Sequence, residues 1–586
     1  MEERARWRAP QDVEWDRVIK VPFAPETSAS GIGDTGFHEV CWYRRAIAPP
    51  PLDPSERLLL HFNAVDYATE VWAGGCWTVR HEGGYTPFSV DLTPFVQGDR
   101  PIEVIVRAED DPFDLAKPRG KQDWQLNPHS IWYPRTSGIW QTVWLERIPE
   151  TFIASVRWTP NLERWEIGLT VDIGGRERTG LKLRVSLTAR GSVLAEDRYG
   201  LFHDEITRHI ALSDPGIDDY RNEFLWSPHS PTLIAARLEL TDADDRLVDE
   251  VHSYTALRTV AVQGQTVVLN GRPYPLRLVL DQGYWPETGM TPPDDAALRK
   301  DVELVKQMGF NGVRKHQKIE DPRWLYWADR EGLLVWEEMP SAYRFTGLSI
   351  ERLTREWLEV IRRDYSHPCV IVWVPFNESW GVPNLPEIPA QRHWVQGLYH
   401  LTHTLDPTRL VVGNDGWESE TTDLIGIHDY DSEPAQLAKR YGLHENVPHL
   451  FRRERPGGRM LSLGGEHGGQ PILLSEFGGI ACAPERGADF WGYSVSRSTS
   501  ELESRFEALM DVVRELPALA GFCYTQFSDT YQEANGLLFM DRRPKFPLDR
   551  MADAVRGPRL MRQAQAEQVK KAERGTPGSQ HGGAAP

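Results

Sequence analysis

From about residue 260 onward the chain settles into a rhythm that few folds can accommodate. Apolar, strand-like runs recur at 276–280, 310–313, 333–336, 370–376, 410–412, 424–427, 472–474 and 521–524. Amphipathic helices lie between them. Asp294 and Asp295 can cap a helix with Leu298, Val302 and Val305 on one face and Gly309 just past its end. Pro322 stands where a first-turn proline belongs, and Gly332 closes that helix. Leu353, Trp357 and Val360 mark a third helix, and Leu502, Phe506, Leu509 and Val513 a later one. Only the helix between the fifth and sixth runs is weak. Eight strands alternating with helices over roughly 300 residues have the size and period of a (β/α)8 barrel, with a doubly wound open sheet as the runner-up.

The preceding residues obey a different grammar. Residues 1–150 carry short β-branched or aromatic runs at 58–62, 69–72 and 102–106, punctuated by Gly and Pro, which predicts an all-β sandwich. Residues 151–260 repeat the pattern in a smaller unit, with alternation at 165–171, 181–187 and 233–240, a length that suits a seven-strand, immunoglobulin-like sandwich. The barrel is expected over 261–561, and the polar segment 562–586 reads as a disordered tail.

Composition narrows the function. Lys and Arg number 66 against 85 Asp and Glu, a net charge of −19, which repels phosphate backbones and argues against nucleic acid. Five cysteines without a CxxC pair fit neither a disulfide framework nor a zinc cage, and suit a reducing compartment. No apolar run is long enough for a membrane span, and the charged start MEERARWR shows no secretory signal, so a cytoplasmic protein is expected. The 22 tryptophans suit stacking on sugar rings or the cores of large β-domains equally well.

A barrel places its reactive groups at the carboxyl ends of its strands. That rule leaves Asp281, Glu337 or Glu338, Glu378, Asp429 and Glu476. Strands four and seven face each other across the mouth, so Glu378 and Glu476 can flank one small ligand, as glycoside hydrolysis requires. A separation of roughly 5–5.5 Å gives retention, and ~6.5–9.5 Å inversion. Asn377 beside the acid can hold a sugar hydroxyl, and Trp380 can form a stacking wall. Gly478 and Gly479 would let a ligand approach the backbone. Arg314, His316, His428, Tyr430 and Gln526 converge on the same rim.

Three other motifs lead nowhere. Gly31-Ile32-Gly33-Asp34-Thr35-Gly36 matches a dinucleotide loop but runs into a strand. His444 and His449 are five apart, with Pro448 breaking any helix between them. Asp242, Asp244 and Asp245 read as a hairpin turn rather than a calcium loop.

Taken together, the Asn377-Glu378-Ser379 and Ser475-Glu476-Phe477-Gly478-Gly479 segments and the three-domain order resemble glycoside hydrolase family 2, the β-galactosidases, β-glucuronidases and β-mannosidases. The resemblance covers roughly 30–550 and includes the 81–88 segment HEGGYTPF, the 137–141 segment SGIWQ, Leu225-Trp226-Ser227-Pro228 and the 309–314 segment GFNGVR. It implies a jelly-roll sugar-binding domain, an immunoglobulin-like sandwich and a retaining, exo-acting barrel. Glu378 would be the acid/base, Glu476 the nucleophile, Asn377 the amide for the 2-hydroxyl, and Arg314 and Tyr430 the groups orienting the nucleophile. Glu533 stands where the family's glucuronidases carry a lysine for the uronate carboxylate, which disfavours a uronate. A β-galactoside is the default substrate, with β-mannoside and α-L-arabinopyranoside open. No metal or organic cofactor is required, and the expected partner is a glycoside or oligosaccharide, homo-oligomerisation being left open.

Overall fold

A computed structural model describes residues 9–176, 179–214, 216–451, 454–455, 459–460, 467–484 and 490–557. The predicted tail and the first eight residues lie outside these. After two antiparallel β-sandwiches the chain forms an eight-stranded, wholly parallel sheet. Its strands are β1 (Leu276–Asp281), β2 (Gly312–Lys315), β3 (Leu334–Glu338), β4 (Val370–Val374), β5 (Leu410–Val411), β6 (Ile425–His428), β7 (Ile472–Gly478) and β8 (Gly521–Thr525). Each falls on one of the predicted runs. Parallel strands buried on both faces need apolar residues at every position, not every second one, and so read as continuous runs.

The strand order is β5-β4-β3-β2-β1-β8-β7-β6. First and last strands therefore pair with each other, as a barrel demands and a doubly wound sheet does not. The seam falls between β5 and β6, where the Asp423 amide donates to the Val411 carbonyl at 2.9 Å and the Val411 amide to the Asp423 carboxylate at 2.8 Å. That is also where the sequence shows only a weak helix, and among the described residues none spans β5 to β6.

The predicted helices are α1 (Asp295–Gln307), capped by Asp294, α2 (Pro322–Glu331), capped by Asp321 and closed by left-handed Gly332, and α3 (Gly347–Asp364). The sequence does not single out α4 (Pro389–Leu405). The helix α5 (Thr499–Val513) buries Leu502, Phe506, Leu509 and Val513 as expected. Pro448 begins rather than breaks a short helix, Val447–Phe451, because a missing N–H costs nothing in a first turn.

In the first sandwich a four-stranded sheet (Val40–Ile47, Ile102–Glu109, Ala68–Ala73, Cys76–Glu82) covers a three-stranded one (Phe88–Asp91, Glu56–Phe62, Val143–Pro149). Leu58, Leu60, Phe62, Val71, Val90, Val104 and Val106 fill the space between. The second sandwich packs sheets of three and four strands between Thr151 and Thr255 around Leu169, Leu183, Leu187 and Leu238.

The second sandwich docks under the barrel, at the amino ends of its strands. Arg258 is buried and donates to the carbonyls of Pro368 (3.0 Å), Val370 (2.8 Å) and Thr408 (3.2 Å). Loss of solvent around the buried guanidinium, with the charge of Arg409 nearby, pulls its pKa down to about 9, yet it stays charged at neutral pH. Arg258→Met should therefore cost about 3 kcal/mol of barrel stability through unpaired carbonyls. Urea unfolding checks this, and a loss below about 1 kcal/mol would mean that the strands satisfy those carbonyls unaided.

The first sandwich grips the opposite, functional end. Tyr85 N–H donates to Glu356 on α3 at 2.8 Å, Arg352 reaches Glu82 at 2.6 Å and Asp114 at 2.7 Å, and the Tyr343 hydroxyl donates to the Gly120 carbonyl at 2.8 Å.

Candidate active site

At the mouth, a carboxylate oxygen of Glu378, one of Glu476 and a ring nitrogen of His428 all lie within 4.8 Å of one another. Two local distortions bring this about. The register of β7 slips against β6 between Ile427 and His428, making His428 the direct partner of Glu476. Such a bulge re-aims a side chain at the end of a strand. Past β4, Glu378 and Ser379 adopt left-handed backbone, with φ of 50° and 54°. For non-glycine residues this costs on the order of 1 kcal/mol each. The strain is held by the Glu378 amide donating to the Asp415 carbonyl at 2.9 Å and the Ser379 amide to Asn414 Oδ1 at 3.0 Å.

Beneath the pair sits Arg314 on β2, fully buried. One terminal nitrogen donates to Glu476 at 2.6 Å. The other lies 2.7 Å from Asn377 Oδ1, 2.6 Å from Glu338 and 2.9 Å from Asp415. The Tyr430 hydroxyl donates to the second Glu476 oxygen at 2.5 Å and lies 3.1 Å from Thr525 Oγ1. Burial opposes a charge on Glu476, but His428, Arg314, His316 and the Tyr430 hydroxyl together hold its carboxyl below the usual carboxylate range. It is an anion, and both its oxygens are fixed.

His428 lies 2.7 Å from Glu378 and 3.4 Å from Glu476 through Nδ1, and 3.5 Å from Asp415 through Nε2. Burial opposes its protonation, yet these carboxylates raise its pKa to about 9. Glu378 is desolvated, which alone would raise its pKa; the hydrogen bond and charge of His428 lower it instead. The two share one proton across a 2.7 Å contact. A proton on Nδ1 needs only to cross that bond to make Glu378 an acid. Asn377 turns its oxygen to Arg314, leaving its buried Nδ2 with no partner among the described residues, available to a ligand hydroxyl.

His316 is buried 3.0 Å from Glu338, and burial lowers its pKa. Trp380 is half-buried against Trp132, Tyr343 and Trp417, with ring centroids 5.2–6.0 Å away. Glu533 is buried and accepts from the Tyr133 hydroxyl and from Asn535. Asp281 and Gln526 are not brought to the pair. Asp281 binds Lys315 at 2.6 Å and the Gly283 amide, and Gln526 bonds Gln282 and Asn535. Gly478 and Gly479 make room for tyrosines. Gly479 has a φ of 60°, and a Cβ there would meet Tyr493 at 2.5 Å and Tyr430 at 3.0 Å.

The sequence analysis missed Asp415. It follows β5, but in Gly413-Asn414-Asp415-Gly416, which reads as a turn. Of the adjacent acids, Glu338 enters the site, whereas Glu337 faces Asp364 and Arg363 and is driven toward its neutral form by burial.

Two β-sandwiches feeding a (β/α)8 barrel whose mouth holds a fixed glutamate anion opposite a proton-sharing glutamate define a class of protein built for chemistry between two carboxylates. The particular family follows from comparison. Residues 260–488 match the TIM barrel domain of family 2 of the glycosyl hydrolases, so this segment of the chain is similar to the barrels of that family. A β-galactosidase of Thermoanaerobacter pseudethanolicus is 26% identical over 452 residues, 74% of this chain and 57% of that protein. The chain spans about half the length of the curated relatives it matches. Among solved structures, the β-glucuronidase of Bifidobacterium dentium superposes with a TM-score of 0.74 at 20% identity, covering 92% of both chains. A β-galacturonidase from Eisenbergiella tayi superposes with a TM-score of 0.70 at 19% identity, covering 93% of both. At those identities the structural likeness speaks for the fold.

Proposed function

We propose that the protein is a retaining, exo-acting β-glycosidase, most like a β-galactosidase. The observation that carries this is the approach of Glu378 to Glu476 within 4.8 Å, closer to the spacing of retaining than of inverting enzymes. Glu476, ionised and oriented by Arg314 and Tyr430, attacks the anomeric carbon while Glu378 gives its proton to the leaving oxygen. A glycosyl ester on Glu476 results. Glu378 then takes a proton from water, whose oxygen releases the sugar with its original configuration. The Asn377 amide holds the 2-hydroxyl. Loops of the first sandwich, bringing Tyr133 and Lys121 to the mouth, favour a pocket for a terminal sugar over an open cleft. That sandwich is read as a jelly-roll sugar-binding module and the second as immunoglobulin-like, with boundaries near 150 and 260 and a cytoplasmic setting.

The test is a panel of nitrophenyl glycosides (β-galactoside, β-mannoside, β-glucoside, β-glucuronide, α-L-arabinopyranoside) with Glu476→Ala as control. Turnover that vanishes in the control supports the reading. Sugar binding without turnover would make the chain a carbohydrate-binding protein.

The shared proton also sets a pH profile. A group whose pKa is raised to about 9 loses its proton above that pH, so kcat/KM should fall along an alkaline limb near pH 9. In His428→Gln the limb should move toward lower pH. An unmoved limb would show that His428 does not hold the proton.

A further inference from the structure

Lys121 belongs to the first sandwich, 139 positions before the start of the segment matched to the family 2 barrel. Its loop is fastened across the barrel mouth: the amides of Arg119 and Gly120 both donate to the Ser341 carbonyl, at 3.1 and 3.2 Å. Gly120 is in left-handed backbone with a φ of 60°, and a Cβ there would meet the Gln317 carbonyl at 2.4 Å. Only glycine lets the loop lie so low.

The consequence is a lysine held in the site. Lys121 is 7% exposed, and its ammonium makes no hydrogen bond or ion pair with any described residue. The Tyr133 amide donates to the Lys121 carbonyl at 2.8 Å and the Tyr133 hydroxyl donates to Glu533, which brings the lysine to the mouth, where its charge is felt by Glu378 after β4, His316 after β2 and Glu533 after β8. The ammonium is not among the fully buried unpartnered atoms, so it opens to the mouth with three donors available to a ligand. Glu533 is the complementary group. Tyr133 and Asn535 fix its two oxygens by one bond each, and each carboxylate oxygen has capacity for another.

We propose that Lys121 and Glu533 form a donor–acceptor pair that reads hydroxyls of a neutral sugar other than the 2-hydroxyl. The first sandwich thus supplies a specificity-determining residue of the site. This rests on the reading of the site as a glycosidase. Charge favours a neutral sugar over a uronate. A further carboxylate would meet Glu338, Glu378, Asp415 and Glu476, whose counter-charges Arg314 and His428 are already engaged, and Glu533 beside the lysine.

The experiment measures kcat/KM of the wild type, Lys121→Met and Glu533→Gln on the preferred nitrophenyl glycoside, on its 3-, 4- and 6-deoxy analogues, and on the corresponding uronide. Each variant should lose about 10- to 100-fold on the parent sugar, the scale of one charge-assisted hydrogen bond. On the deoxy analogue lacking the hydroxyl it reads, the variant should lose less than about threefold more, because that contact is already gone. A purely structural role would give the same loss on every analogue and would overturn the proposal. So would a wild type that prefers the uronide, with the Lys121→Met loss confined to it. Glu533→Gln, nearly isosteric, keeps the test decisive should Lys121→Met fold poorly. Silence of the wild type on every glycoside would instead overturn the glycosidase reading itself.

Discussion

Glu476→Ala is expected to lower kcat on the order of 10⁴-fold or more, the scale on which loss of one member of a reacting unit is felt. KM should change far less, because the Asn377, Lys121 and Glu533 contacts to the sugar remain. The cavity left by the side chain also makes a sharper prediction. With azide supplied, the anion can occupy the place of the lost carboxylate and attack from that face, giving a glycosyl azide of inverted configuration. In Glu378→Ala the glycosyl ester still forms from substrates with good leaving groups, and azide enters from the opposite face, giving the retained azide. Opposite products from the two variants assign the two roles. Identical products, or rescue of neither, would mean that the pair does not divide the work as its geometry implies.

Arg314→Met should be the most damaging change to the fold as well as to activity. Its guanidinium is the shared counter-charge of Glu338, Asp415 and Glu476, all buried. Removing it strands three carboxylates in a low-dielectric interior, and breaking even one buried pair in this way costs about 3–5 kcal/mol. The variant should unfold at markedly lower temperature, with the Glu476 carboxyl held down less firmly, by His428, His316 and the Tyr430 hydroxyl alone. Arg314→Lys separates fold from function. A lysine restores the charge but not the fork that bonds Glu476 with one nitrogen and Asn377 with the other. It should fold while losing on the order of 100-fold in kcat, since a small misplacement of the nucleophile is enough. Wild-type melting and activity in Arg314→Met would contradict the assignment of Arg314 as the hub.

Much of this architecture was legible in the sequence for a physical reason. Parallel barrel strands are buried on both faces and announce themselves as apolar runs, so strand ends could be located and Glu378 and Glu476 picked from 85 acidic residues. The end-of-strand rule gives a place but not a direction. Asp281 and Gln526 sit where it predicts, yet their side chains are taken up by Lys315 and by Gln282 and Asn535. Asp415 was hidden because β5 is only two residues long and the segment after it reads as a turn. Lys121 was hidden because nothing local marks it. Its meaning arises only when a loop of one domain folds over the mouth of another, 412 positions before Glu533. What the glycines after Glu476 accommodate, Tyr524 at Gly478 and Tyr493 and Tyr430 at Gly479, likewise arrives from elsewhere in the chain.

We propose that Glu378 and Glu476 act together on one anomeric carbon by double displacement. Proton NMR of the sugar as it is first released, before it mutarotates, tests this most directly. A β-glycoside should yield the β-sugar first, with the α-anomer appearing only at the rate of spontaneous equilibration. Initial release of the α-anomer would mean a single displacement by water, and would contradict the proposal.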